Sequence, residues 1–193
     1  MDNYNSMGSG SDENKGGLRK LEGPILLGLG ANLPSPDHGP PAATVRAAVG
    51  ALVARGLEIR ARSRWWESAP VPPSDQPWYV NGVIEVGTSL PPESLLALLH
   101  RIEGQFGRLR SVPNAPRILD LDLLAYGDLV RRGPEPPLLP HPRMVERAFV
   151  LLPLAEIHPS WRHPATGRSL DELIAEIPPG QIVRPLPHSD TSN

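Results

Sequence analysis

The chain contains no cysteine, only two phenylalanines among 193 residues, and a formal charge of −2 at pH 7. Without cysteine the protein has neither disulfides nor thiolate metal ligands. Because the charge is nearly balanced, no overall basic field attracts nucleic acid or an anionic membrane, and any anion site must be local. No apolar run approaches the roughly 20 residues of a membrane span, and the N-terminal residues do not resemble a signal peptide. We therefore expect a soluble, cytoplasmic protein that binds neither nucleic acid nor membrane.

The length of the chain suits one domain with its own core. Residues 1–23 are polar and glycine-rich with almost nothing to bury, so we expect a disordered tail there. The 25 prolines stand mostly between apolar segments, where they indicate loops. We predict a single domain over residues 24–187 and a flexible C-terminus at 188–193.

Hydrophobic periodicity predicts strands and helices in a definite order. The expected elements are a strand at Ile25–Gly30, a helix at Thr44–Arg55, strands at Leu57–Trp66 and Tyr79–Val86, a helix at Pro92–Phe106 and a strand around Asp120–Asp122. This β-α-β-β-α-β order is that of a split βαβ unit. After residue 127 we expect an added C-terminal segment, with a short turn near Arg143–Arg147, an apolar run at Phe149–Leu152 and a helix at Leu170–Ile177.

Two carboxylates stand two residues apart in an otherwise apolar run, at Asp120 and Asp122. On a strand they share one face, about 6–7 Å apart, while the leucines point to the other face. The ordinary interpretation is the solvated face of a sheet. However, Arg108, Arg110 and Arg117 precede the acids across a proline-containing loop. Guanidinium groups suit phosphate oxygens and carboxylates suit Mg²⁺ bridged by phosphates, so the pattern favours a metal–polyphosphate site.

Standard nucleotide-binding motifs are missing from the chain. There is no Gly-x-x-x-x-Gly-Lys-Ser/Thr loop and no protein-kinase signature, and Gly28-Leu29-Gly30 lacks the third glycine of a dinucleotide fingerprint. Metals and arginines must therefore handle any phosphates. A lone histidine is more often structural than a ligand, but His141 lies close to Arg143 and Arg147, where a donor to phosphate would be useful.

Arginines alternate along the third predicted segment, at Arg60, Arg62 and Arg64. This alternation indicates a solvated strand face. The alternative is an RNA-binding module, which would show salt-dependent affinity without a metal requirement. The lack of paired aromatic stacking motifs on the central strands counts against that alternative.

Three separated motifs, together with the segment at residues 28–33, resemble the 6-hydroxymethyl-7,8-dihydropterin pyrophosphokinase family of the folate pathway, over roughly residues 25–160. The matching segments are residues 28–33 (Gly-Leu-Gly-Ala-Asn-Leu), 75–81 (Asp-Gln-Pro-Trp-Tyr-Val-Asn), 116–127 (Pro-Arg-Ile-Leu-Asp-Leu-Asp-Leu-Leu-Ala-Tyr-Gly) and 139–154 from Leu-Pro-His-Pro-Arg-Met onward. The resemblance implies an α+β, ferredoxin-like core. It also implies transfer of the pyrophosphoryl group of ATP to the pterin hydroxymethyl oxygen, with release of AMP.

The resemblance further implies roles for individual residues. Asp120 and Asp122 would hold two Mg²⁺ ions, with Arg108 and Arg117 stabilising charge on the transferred group. The implied nucleotide-binding positions are Glu103, Arg108, Arg110, Arg117, His141 and Arg147. The implied pterin-binding positions are Tyr79 and Phe149, which would stack on the ring, and Asn81, Ser68, Ala69 and Val71, which would read its polar edge. The alternative explanation for Phe149 is core packing among its apolar neighbours. Without the resemblance, Glu103 and Arg147 are equally explained as ordinary helix-surface charges.

Two positions depart from the pattern of some family members. Asn114 stands where the mobile loop of those members carries an aromatic residue, and Pro142 stands where a tyrosine follows the histidine. Neither departure touches the acids or the principal arginines. A different two-metal phosphotransferase on the same core is the alternative enzymatic hypothesis. We expect a monomer.

Overall fold

An antiparallel β-sheet with helices on both faces organises the protein. The computed structural model describes residues 22–107 and 117–187. Residues 1–21 of the predicted tail (1–23), the flexible C-terminus at 188–193, and Arg108, Arg110 and Asn114 therefore lie outside the described residues.

The described residues form six strands, four α-helices and one 3₁₀ turn. In chain order these are β1 (Ile25–Ala31), α1 (Pro41–Ala54), β2 (Glu58–Arg62), β3 (Trp66–Ser68), β4 (Tyr79–Gly87), α2 (Pro92–Gln105), β5 (Asp120–Tyr126), the 3₁₀ turn (Met144–Glu146), α3 (Ala148–Ile157), α4 (Leu170–Ala175) and β6 (Val183–Pro185). The sheet has the order β5-β1-β4-β3-β6, and β2 also pairs with β4. All strand pairs are antiparallel.

The predicted strand at Leu57–Trp66 is wrong as one element, because the chain breaks between β2 and β3. Ser63 interrupts the regular ladder: its hydroxyl accepts from the Val83 amide at 3.1 Å and donates to the Arg64 carbonyl at 2.7 Å. The two short strands therefore follow different parts of β4, with β2 beside Ile84–Gly87 and β3 beside Tyr79–Asn81.

Each face of the sheet buries its own apolar cluster. Leu27, Leu29, Ile84 and Val86 pack in one cluster with residues of α1 and α2. On the opposite face, Leu26, Val83 and Leu124 pack with α3 and α4 residues such as Leu151, Leu154 and Leu173. The alternation of side chains along a strand explains how neighbouring residues enter different clusters.

The helix boundaries follow local chemistry. α1 begins at Pro41 rather than at the expected Thr44, and α2 begins at Pro92 as expected; in both, a proline occupies the first turn, where its missing N–H costs nothing. The apolar run after Phe149 is a helix, α3, although it contains Pro153. None of the helices in the described part of the chain has both the length and the apolar character needed to cross a bilayer.

Gly82 in β4 provides a test of the packing. A Cβ atom there would lie 2.6 Å from the buried Trp65 ring. We predict that Gly82→Ala destabilises the fold by about 1–3 kcal/mol through overpacking, measured by chemical denaturation.

Gly50→Ala is the matched control. Gly50 lies within α1 and has open space around its Cα, so alanine there should stabilise the protein by about 1 kcal/mol. A neutral Gly82→Ala would contradict this account of the contact between β4 and Trp65.

Candidate active site

One end of a sheet face is left bare of large side chains. Along β1, the same face that carries Leu26 continues with Gly28 and Gly30, whereas α3 covers only the apolar end. On β5 this face continues from Leu124 to Asp122 and Asp120, as the strand alternation requires. The face therefore changes from apolar core to an open, polar floor within one strand length.

The strand register sets what stands on this floor. Gly30 lies opposite Asp120 on one side and opposite Asn81 on the other, and Gly28 lies opposite Asp122. With neighbouring strands about 4.8 Å apart, the backbones of Asp120 and Asn81 are separated by about 10 Å. A Cβ atom on Gly30 would stand 3.2 Å from Asn81 Oδ1, so the missing side chain keeps the gap between acids and amide open.

A cavity of about 500 Å³ lies over this floor. It brings together all six residues predicted for the pterin and four predicted for phosphate or metal. These are Ser68, Ala69, Val71, Tyr79, Asn81 and Phe149, with Arg117, Asp120, Asp122 and Arg147. The cavity volume falls in the range of small-molecule sites.

Two carboxylates lie side by side at one end of the cavity, those of Asp120 and Asp122. Burial and the neighbouring charge of Asp120 raise the pKa of Asp122 above its ordinary value, against the opposing pull of His141, Arg147 and Arg117. Arg117 forms an ion pair with Asp120, and Arg147 Nη1 lies 3.3 Å from Asp122 Oδ2. Each acid thus has an arginine beside it, and burial is the larger cause of the raised pKa of Asp122.

His141 lies beside the acids without lining the cavity. Burial lowers its pKa, an effect that Asp122 opposes and that Arg147 and Arg143 reinforce. Its Nδ1 accepts from the Arg143 amide at 3.2 Å. The Nε2 atom of that tautomer therefore carries the proton, which makes the ring a neutral hydrogen-bond donor.

Two carboxylates suit a divalent cation here. In residues 22–107 and 117–187, no three histidine, aspartate or glutamate side chains converge on one point. Mg²⁺ does not require such a cage, because it is commonly held by one or two carboxylates together with substrate phosphates and water. Asp120 and Asp122, adjacent on one face and mutually repulsive, have the donor chemistry for such an ion.

The other end of the cavity carries aromatic and amide groups. Asn81 is buried, and its Nδ2 donates to Ser68 Oγ at 2.8 Å, which fixes the orientation of the amide. Burial raises the pKa of Tyr79, so its hydroxyl stays protonated. Phe149 lies on the far wall with the Arg147 guanidinium 5.5 Å from its ring centre. This end offers flat apolar surface and placed polar atoms.

A buried asparagine, Asn32, connects the two ends of the cavity through hydrogen bonds. Asn32 Oδ1 accepts from the Arg117 amide at 2.7 Å, and its Nδ2 donates to Pro77 O at 3.2 Å and Gln76 Oε1 at 3.3 Å. Tyr79 donates to the same Gln76 oxygen at 3.2 Å. Asn32 therefore joins the segment leading to Tyr79 with the residue that precedes β5.

Glu103 occupies a different place from the other predicted residues. It is buried on α2, and its Oε1 accepts from the Leu121 amide at 2.8 Å. This contact caps the outer edge of β5 between the two acids. Glu103 does not line the cavity, and it is not a helix-surface charge.

Several cavity residues had no place among the predicted site residues. They include the two floor glycines, Gln76, Arg143, Glu146 and the segment 178–181. The motif at residues 28–33 is a signal for the glycines, and the arginine cluster around His141 is a signal for Arg143. Nothing in the sequence indicates that residues 178–181 return to the site.

Comparisons with known proteins identify the family. The model of the 7,8-dihydro-6-hydroxymethylpterin-pyrophosphokinase (HPPK) family matches residues 26–159, so the chain belongs to this family. It is 42% identical over 155 residues to the 2-amino-4-hydroxy-6-hydroxymethyldihydropteridine pyrophosphokinase of Synechocystis, covering 79% of this chain and 75% of that one. The enzyme of the same name from Pseudomonas aeruginosa is 41% identical over 156 residues, covering 80% and 91%.

Solved structures show the same fold at low identity. The Plasmodium falciparum HPPK-DHPS structure has a TM-score of 0.58 and 14% identity, covering 79% of this chain and 44% of that one. An HPPK-DHPS structure in complex with substrates has a TM-score of 0.61 and 12% identity, covering 81% and 43%. The chain spans less than half of each of these longer proteins, and the likeness concerns the fold alone.

The raised pKa of Asp122 predicts a pH-dependent stability effect. The folded state holds this proton more tightly than the unfolded chain, so ionisation destabilises the fold as the pH rises above the ordinary value of 3.8. The penalty is complete above the raised pKa and absent well below 3.8. Asp122→Asn should therefore raise Tm at pH 7 without metal, by about 2–4 °C per kcal/mol recovered, and the difference should vanish in acid.

Thermal unfolding at pH 7 and at pH values below the ordinary aspartate range measures this difference. Exposed Asp37 supplies the control, since Asp37→Asn should leave Tm nearly unchanged at both. A lower Tm for Asp122→Asn at pH 7 would contradict the electrostatic account.

Proposed function

We propose that the protein transfers pyrophosphate from ATP to 6-hydroxymethyl-7,8-dihydropterin, giving the pterin diphosphate and AMP, in folate biosynthesis. The observation that carries the proposal is one cavity with an acidic pair at one end and a flat, amide-bearing pocket at the other, in a member of the HPPK family. The backbones of Asp120 and Asn81 are separated by about 10 Å, which leaves room for a bicyclic ring whose hydroxymethyl group reaches the acids.

The pterin subsite is proposed between Tyr79 and Phe149. A flat heteroaromatic ring gains from stacking on such surfaces, and it needs a few fixed donors and acceptors at its edge. Asn81 has its Nδ2 occupied by Ser68, which leaves its Oδ1 to accept from a ring amino group. Ala69 and Val71 line the same wall and would contribute backbone groups.

The triphosphate subsite is proposed on the acidic side. Arg117 and Arg147 already lie against the two aspartates, and His141 offers a neutral N–H beside them. In-line displacement at phosphorus needs alignment and charge neutralisation rather than covalent help from the protein. Arg108 and Arg110, together with Glu103, are proposed for the same nucleotide on the strength of the resemblance.

Mg²⁺ dependence, with two ions held by Asp120 and Asp122, is part of the proposal. When bound, the ions would neutralise the phosphate oxygens and align ATP with the hydroxymethyl group. The raised pKa of Asp122 supports this assignment, because a cation would relieve the repulsion that burial has strengthened. Around this centre the arginines bind phosphate and the cavity walls exclude water.

A ferredoxin-like core with an added C-terminal segment is the fold we propose. The sheet order β5-β1-β4-β3, with β2 beside β4, supports it, and α3, α4 and β6 follow the core. The single domain over residues 24–187, the monomeric state, the cytoplasmic location and the absence of nucleic-acid and membrane partners stay predictions.

The RNA-binding alternative is not favoured by the described contacts. Arg60 and Arg64 form ion pairs with Glu58 and Glu156, at 3.3 and 2.7 Å. Arg62 lies over the Trp65 ring at 5.7 Å. The positive charge of this face is therefore largely occupied within the protein.

The direct test is AMP formation from ATP. It should require both the hydroxymethyldihydropterin and Mg²⁺, and Asp122→Asn should reduce the rate by about 10²–10³-fold because a fixed charge at the proposed metal site is lost. Chromatography of the nucleotide products measures the rate. Asp37→Asn should retain the full rate. ADP as the product, or turnover with other acceptors only, would favour a different phosphotransferase.

A floor substitution tests the placement of the pterin. Gly30→Val would fill the gap beside Asn81 Oδ1, so we expect the KM for the pterin to rise at least about tenfold, equivalent to about 1.4 kcal/mol. Steady-state kinetics at saturating ATP measures the change.

Gly28→Ala is the control for that substitution. Its methyl group would lie in ordinary contact with Leu124, 3.4 Å away, so the pterin KM should stay near the wild-type value. An unchanged KM in folded Gly30→Val would place the ring elsewhere.

A further inference from the structure

The chain returns to the cavity after α4 and closes one of its walls. Pro178, Pro179, Gly180 and Gln181 all line the cavity. This segment, residues 178–181, is hereafter called the C-terminal strap. It continues into β6, which pairs with β3 so that Val183 lies opposite Ser68.

Gln181 attaches the strap to the start of α3 through both ends of its amide. Its Nε2 donates to the Glu146 carbonyl at 2.7 Å. Its Oε1 accepts from the Ala148 amide at 2.9 Å. The two contacts span the junction between the 3₁₀ turn and α3 and leave the side chain no second orientation that satisfies both.

The contact with Ala148 supplies a helix cap that α3 otherwise lacks. The N-cap residue of α3 is Arg147, and its side chain makes no capping hydrogen bond. The first amides of a helix have no partner within the helix, and a side-chain oxygen that accepts from one of them stabilises the first turn. Gln181 does this from 33 positions along the chain.

The capped turn carries two side chains that face the two proposed substrates. Arg147 and Phe149 flank Ala148 and both line the cavity. Arg147 is held independently by Asp122, 3.3 Å away. Phe149 has packing and the Arg147 guanidinium at 5.5 Å, but no hydrogen bond to set its ring. Phe149 therefore depends more on the backbone of this turn.

The residue that follows the C-terminal strap, Ile182, is hydrogen-bonded to the opposite wall of the cavity. The Ala69 amide donates to the Ile182 carbonyl at 3.0 Å, directly after Gln181. Ser68 and Ala69 belong to the wall that carries Asn81. Gln181 and Ile182 together thus connect the amide-bearing wall to the turn that presents the Phe149 ring.

We propose that Gln181 is a positioning residue for the pterin subsite: it caps α3 and sets the distance between the Phe149 ring and the wall formed by Ser68 and Ala69. The inference rests on the proposed function for the identity of the ligand. It does not make Gln181 a catalytic residue, because its polar atoms bond to protein backbone.

Steady-state kinetics of Gln181→Ala tests this role. We expect the KM for the pterin to rise about tenfold, equivalent to about 1.4 kcal/mol, because the uncapped turn would hold the Phe149 ring less firmly. The KM for ATP should rise less, since Arg147 keeps its ion pair with Asp122. The value of kcat should change by less than about threefold, because the acids and arginines are untouched.

Two further variants separate positioning from general damage. Gln181→Glu keeps the oxygen that accepts from Ala148 and loses the donor to Glu146, so its pterin KM should lie between those of wild type and Gln181→Ala. Ile182→Ala removes a side chain that is 56% exposed on the adjoining residue, and it should behave as wild type. If Gln181→Ala does not fold, a raised pterin KM in Gln181→Glu carries the test.

A measurement independent of activity accompanies the kinetics. Hydrogen exchange of the amides at residues 148–151, in the unliganded protein, should be faster in Gln181→Ala than in wild type and in Ile182→Ala. If wild type forms no AMP, the proposed function fails while the exchange result still tests the cap. Unchanged exchange, an unchanged pterin KM, or a fall in kcat alone would overturn the positioning role.

Discussion

The register of β4, β1 and β5 is the constraint on which the site depends. Only this alignment sets Gly30 between Asp120 and Asn81, so that a side-chain-free strip separates the acids from the amide. A shift of one residue between β1 and β5 would turn the acids toward the helices α1 and α2 and bring leucines onto the floor, and a shift between β1 and β4 would turn Asn81 away from it. The apolar clusters on both faces oppose such a shift, so packing and chemistry are specified together.

The electrostatics of the site follow from that alignment. Two acids on one face, partly withdrawn from water, repel each other, and each lies against an arginine, Arg117 or Arg147. If the site acts as proposed, a dication and a polyphosphate would together lower the cost of ionising Asp122. Nucleotide binding would then be linked to the ionisation of Asp122.

Much of this arrangement can be predicted from the sequence, because it depends on residues that are close together along the chain. Strand alternation predicts correctly that Asp120 and Asp122 share a face, and helical spacing predicts α2 to within one residue of its end. The break at Ser63 escapes prediction, since it depends on a hydrogen bond to Val83 on another strand. Helix α3 is not predicted because Pro153 disfavours a helix locally. In the structure, apolar packing of this segment on the sheet outweighs that local preference.

The site shows the same division between local and distant information. Motifs within single segments predict the acids, the arginines and the two aromatic residues proposed to face the ring, whereas the proposed role of Gln181 depends on a contact with Ala148 that no spacing rule contains. The strap has a consequence for biogenesis. A nascent chain that has emerged only as far as α3 already carries the acids, Arg147, Tyr79 and Phe149, yet its cavity lacks the wall formed by residues 178–181. If the cavity holds the pterin as proposed, binding would require that residues 178–185 have left the ribosome and joined the sheet edge.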